Sequence, residues 1–155
     1  LATPGTKIVM GIEELPIGDY VLQVLDLMAK DPEYGPAFKE AVLANVVSLE
    51  TRVTGIVSKV ALGEADAGFA FMSDVSPQMK GKVRKIPIPV GYNVRGNCSA
   101  AVLSQSDNSE AAEAFIDLLL SNDAQSILDE YGFIPLSGSE ENAALPAGDR
   151  AAAID

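Results

Sequence analysis

The strongest constraint on this chain is a repeated order: a short apolar, β-rich run, followed within a few residues by a segment of helical periodicity. Lys7 to Gly11 (KIVMG) is one such run, closed by glycine. After the acidic pair Glu13-Glu14 comes Pro16, a residue favoured at the first position of a helix. Val21, Val24, Leu25 and Met28 then recur at helical spacing as far as Lys30, and Asp31-Pro32 stops the pattern. Ala37 to Ala44 offers a second helical face through Phe38, Ala41 and Val42. The cycle then repeats. Val46 and Val47 make a brief strand, and Val53, Ile56, Val57 and Val60 form a helical stripe that ends at Gly63. Strands alternating with helices predict an α/β fold, a mixed and mostly parallel sheet flanked by helices.

The remaining segments extend this plan. Ala67 to Met72 (AGFAFM) is short and almost wholly apolar, as a strand covered on both faces would be. Val83 to Ile88 reads as an edge strand, because the prolines at 87 and 89 cannot donate to a ladder. Ala100 to Leu103 predicts a last strand. Two amphipathic helices follow, one carrying Ala112, Phe115, Ile116 and Leu119, the other Ala124, Ile127, Leu128 and Tyr131 up to Gly132. Residues 137–155 have no periodic apolar face and are expected to form a mobile tail.

Charge and composition exclude several classes of function. With 22 acidic and 11 basic side chains, the formal charge of -11 repels phosphate backbones, so no nucleic-acid partner is expected. An anionic ligand is still admissible, because backbone N–H groups at helix starts bind anions without any basic side chain. There is no histidine, which removes the usual triads, and one cysteine, Cys98, which is expected to be a buried small apolar residue. No cofactor and no catalytic residue are expected. No apolar run approaches the roughly 18 residues of a membrane helix. The chain begins at Leu1 without the features of a signal peptide, so processing or truncation is expected to have removed the start.

Two helix starts qualify as ligand sites because each follows a strand closely, at the carboxyl edge where α/β sheets bind their ligands. At Leu15-Pro16-Ile17-Gly18, the amides of Ile17 and Gly18 lack partners inside the helix, and Gly18 permits close approach to the backbone. At Glu50-Thr51-Arg52-Val53, with Thr51 as the N-cap, the amide of Val53 points outward unless Thr51 satisfies it. Every helix has such amides and most meet water or a capping side chain. Arg52 is either a clamp on an oxyanion or a solvated surface residue. Glu13, Glu14, Asp66 and Asp74 read as loop acids and caps, since nothing in their spacing sets them apart as acid/base pairs.

Leu15-Pro16-Ile17-Gly18-Asp19-Tyr20, Gly63 to Phe71 (GEADAGFAF) with Ser73-Asp74, and Ala111 to Phe133 ending in Tyr131-Gly132-Phe133 resemble, in order and spacing, the molybdate/tungstate-binding proteins of ABC transporters. The match covers roughly Lys7 to Pro135. The resemblance implies one lobe of a type II periplasmic-binding-protein fold at residues 6–92, and a returning strand and helices of the other lobe at 93–136. It implies a tetrahedral oxyanion, molybdate or tungstate, held in an interlobe cleft by neutral amides, here those of Ile17 and Val53, with no metal–side-chain bond. The implied partners are a membrane permease and the missing amino-terminal lobe or another copy of the chain. The implied location is extracytoplasmic, after export by a signal segment absent from this chain.

Phe71 departs from the family, which commonly has a tyrosine there whose hydroxyl reaches the anion. Phe71 is expected in the core or cleft wall ahead of ligand contact. Some relatives ring the metal centre with two carboxylates, but Leu15 and Arg52 occupy or adjoin the matching places, which disfavours six-coordinate binding. The alternatives are a binding protein for sulfate or another small anion, and the effector-sensing domain of a transcription regulator.

Overall fold

The structure, a computed structural model, describes residues 1–79 and 81–136 and the backbone of 152–154. It contains two compact units, Leu1–Arg95 and Gly96–Asp155.

In the first unit, β1 (Ile8–Gly11), α1 (Pro16–Lys30), α2 (Ala37–Leu43), β2 (Val46–Glu50), α3 (Val53–Ala61) and β3 (Ala67–Gly68) follow in that order. The sheet order is β2-β1-β3, and both pairings are parallel. The α/β expectation with a parallel sheet is therefore what the chain forms. All four residues of β1 are buried, since it lies between the other strands with a helix layer on each face. Ile8 and Met10 point into a core with Ile17, Val21 and Leu25 of α1 and Val42 of α2. Val9 points the opposite way, to Ile56 of α3 and Ala65. Alternation along one strand thus places α1 and α3 on opposite faces of the sheet. Leu25 and Ile56 are each 1% exposed, and burying such a side chain contributes about 1.5–3 kcal/mol, more than any helix-propensity difference in these segments.

Several segments differ from expectation. β2 runs on to Glu50 because its outer positions tolerate water: Val47 and Leu49 are exposed, and Ser48 and Glu50 face α3. The run from Ala67 to Met72 pairs only over Ala67–Gly68, is not covered on both faces, and turns at Met72–Asp74 into a 3-10 helix. Its turn is closed by Asp74, whose carboxylate accepts the Phe71 N–H at 3.0 Å. Val83 to Ile88 forms no strand beyond a single bridge at Val83, as the proline-interrupted backbone there makes no ladder.

In the second unit, β4 (Cys98–Ala100) precedes the expected Ala100–Leu103, and Cys98 is exposed, not buried. α4 (Ser109–Leu119) and α5 (Asn122–Glu130) have the expected amphipathic spacing. Yet Phe115, Leu118 and Ile127 on these helices are exposed. Most of the expected tail, 137–151 and 155, lies outside the described residues; 152–154 form β5, antiparallel to β4.

Candidate functional site

Because β1 and β2 are adjacent and parallel, with Gly11 opposite Glu50, the helices that follow them begin at the same edge of the sheet. α1 packs on one face and α3 on the other, so their amino ends lie on opposite faces at the carboxyl edge where α/β sheets bind ligands. Val53, the first residue of α3, packs against both core clusters and brings its end of the helix to the cluster that holds Ile17.

At the start of α1, Leu15 is the N-cap and its side chain caps nothing. Pro16 has no N–H, and the Ile17 N–H has no acceptor among the described residues. The Gly18 N–H is not free: it donates to the Leu15 carbonyl at 2.9 Å, tightening the first turn, and the Asp19 N–H shares that oxygen at 3.2 Å. Gly18 also serves a different contact from the one anticipated. A Cβ placed on it would lie 2.0 Å from the Ile12 carbonyl oxygen and 2.9 Å from that of Gly11. The close approach is therefore by the chain's own strand-to-helix turn. Ile17 and Gly18 are both buried.

At the start of α3 the N-cap is Arg52, not Thr51, and again no side chain caps the helix. The amides of Val53 and Thr54 find no acceptor among the described residues, and the Gly55 N–H donates to the Arg52 carbonyl at 3.0 Å. Thr54 is a donor that sequence reasoning missed, as only the Val53 amide was singled out at this helix start. Missing side-chain caps do not alone mark a site, since α2 and α4 lack them too, whereas α5 is capped by Ser121, which accepts the Ala124 N–H. What distinguishes α1 and α3 is that they open at one sheet edge. Arg52 is exposed, with no ion pair among the described residues.

Phe71 is half-buried, packs against the α1 core cluster, and meets the Tyr20 ring edge-on at 6.1 Å between centroids. Phe71 thus packs against the core beside the α1 end. Burial of Asp74 below it raises the carboxyl pKa, an effect partly opposed by the Phe71 N–H bond. Asp66 accepts the Lys7 N–H at 2.8 Å, a structural role, and Glu13 and Glu14 are exposed. No group of His, Cys, Asp and Glu that could hold a metal occurs among the described residues. An open groove of about 550 Å³ runs beside β2, lined by Met10, Gly11, Glu13, Leu22, Leu43 and Leu49 among others; it reaches the β1–α1 turn, though neither Ile17 nor Val53 lines it.

This sheet edge thus carries three backbone amides, of Ile17, Val53 and Thr54, without acceptors among the described residues, and the Phe71 ring packs beside the α1 end. Backbone amides of this kind can bind a compact anion. The chain is 27% identical over 133 residues to molybdate-binding protein ModA of Mycobacterium bovis and to that of two strains of Mycobacterium tuberculosis. The alignment covers 86% of this chain and 46% of those proteins, so the chain spans about half the length of the curated relatives it matches. No solved structure matches it. The profile described as bacterial extracellular solute-binding protein matches residues 1–134, and the chain belongs to that family.

Proposed function

We propose that the chain contributes one wall of an oxyanion site, for molybdate or tungstate, in an extracytoplasmic binding protein that delivers its ligand to an ABC permease. The observation that carries this reading is the pair of helix ends without side-chain caps on neighbouring parallel strands, with the amides of Ile17, Val53 and Thr54 lacking acceptors among the described residues at one edge. The likeness to the mycobacterial molybdate-binding proteins supports the choice of anion. The remaining donors come from the other lobe, whose docking covers the apolar faces of α4 and α5 that carry Phe115, Leu118 and Ile127. Gly18 shapes the turn, Phe71 forms the wall, and Arg52 steers from the rim.

A site whose ligand contacts are amide donors, its neighbouring carboxylate Glu50 being held by Lys59 and Ser48, selects a fully deprotonated anion. Hydrogen phosphate brings an O–H that would go unpaired, at about 1–3 kcal/mol. Sulfate is smaller and leaves its hydrogen bonds long. Competition calorimetry on the full-length protein should give molybdate and tungstate together, then sulfate, then phosphate. Displacement of molybdate by sulfate or phosphate at equal concentration would assign the site to the sulfate class instead.

A further inference from the structure

Glu50 ends β2 three residues before Val53, and its side chain folds back over the first turn of α3. A Cβ built on Gly55 would meet Glu50 Oε2 at 2.7 Å and Cδ at 3.4 Å. The other carboxylate oxygen, Oε1, accepts from Ser48 Oγ at 2.6 Å and from Lys59 Nζ, which also donates to Ser48 Oγ at 2.7 Å. Both partners are partly withdrawn from water, with side-chain exposures of 18% for Glu50 and 34% for Lys59. The Glu50 backbone carbonyl meanwhile accepts the Ile12 N–H at 3.0 Å, tying the β1–α1 turn to the same residue.

This carboxylate therefore sits within one helical turn of the Val53 and Thr54 amides. Alone, it would repel an arriving oxyanion and compete for the positive end of α3. We propose that Lys59 is the charge-neutralising residue of the anion site: by holding Glu50 it makes the α3 wall net neutral, without itself touching the ligand. This rests on the oxyanion reading above. The polar cluster then sets affinity through charge, beyond tying β2 to α3.

The test is calorimetric titration of the full-length protein with molybdate, for wild type, Lys59→Met, Glu50→Gln and the double variant, with thermal melts alongside. Lys59→Met leaves an unpaired carboxylate and should weaken binding about tenfold, a loss that shrinks with added salt. Glu50→Gln leaves an unpaired ammonium and should tighten binding severalfold. The double variant, neutral again although its ion pair is gone, should bind better than Lys59→Met. A double variant as weak as Lys59→Met would overturn the proposal, since a purely structural tie predicts that result. If Lys59→Met fails to fold, Glu50→Gln decides: unchanged or weaker binding overturns the proposal. Wild type that binds no molybdate removes the oxyanion reading as well, whereas wild type that binds while the variants match it removes only the role of Lys59.

Discussion

Replacing Gly18 by alanine tests the geometry on which the α1 end of the site depends. The added methyl would fall 2.0 Å from the Ile12 oxygen and 2.6 Å from its carbonyl carbon. Those atoms are backbone, and the turn carrying them is held by Ile12 N–H to Glu50 and Leu15 N–H to Ile12. The methyl cannot be accommodated by a side-chain rotation, so the cost lies at or above the top of the usual overpacking range, about 3 kcal/mol. Alanine's better helix propensity returns about 1 kcal/mol. The net expectation is a loss of about 2 kcal/mol or more, read in the full-length protein as a urea midpoint lowered by about 1 M at unchanged slope. Gly55→Ala is the contrast, because its methyl meets only the end of the Glu50 side chain. Its stability should stay within about 1 kcal/mol of wild type. If Gly18→Ala matched or exceeded wild-type stability, as propensity alone predicts, the turn could not pack on α1 in this way.

Arg52→Ser should stabilise α3 by about 0.5–1 kcal/mol, since Arg52 caps with no side-chain bond, yet weaken molybdate binding because the new hydroxyl competes for the Thr54 or Gly55 amide; paired melts and calorimetry check both, and tighter binding would contradict the amide assignment. Phe71→Tyr adds a hydroxyl to a wall ring and should tighten molybdate binding by about 0.5–1.5 kcal/mol; no change would mean that the ring's far end points away from the ligand. Tyr92 Oη donates to Asp31 at 2.6 Å, which lowers the Asp31 carboxyl below its usual 3.8 and pushes the phenol from 10.0 up to about 12. Folded Asp31 binds its proton less readily than the unfolded chain does, so this stability is present above pH 3.8 and lost as pH falls below it; the Tyr92 contribution is present below pH 10 and lost as pH rises toward 12. Tyr92→Phe should flatten both limbs in pH-dependent denaturation, and unchanged limbs would exclude the bond.

The strand-then-helix rhythm was legible because period changes from two to 3.6 are written in residues such as Val9 and Met10 against Val21, Val24 and Leu25. The end of β2 was not, since Ser48 and Glu50 look like loop residues until Lys59 reaches them from α3. That alternation, with a lysine one turn after Ile56, was the available signal. Gly18 shows the limit from the other side: sequence reveals the absent Cβ but not which backbone fills its place. Cap position shifted by one residue at Arg52 because capping depends on local dihedrals, which Thr51 composition does not determine.

The central position of β1 also sets the order in which the first unit can fold. Its two neighbours arrive only with β2 and β3, and the stitches that close the unit span 44 residues from Leu1 to Asn45 and 59 from Lys7 to Asp66. β1 thus has a ladder on one side once Glu50 has been made and lacks the second until Gly68 follows. Such non-local pairing folds slowly, and no smaller part of the sheet retains a parallel ladder on both sides of β1. The unit should open as a whole, with the Val9 and Met10 amides exchanging with solvent at the rate of global unfolding while those of the exposed turns exchange freely.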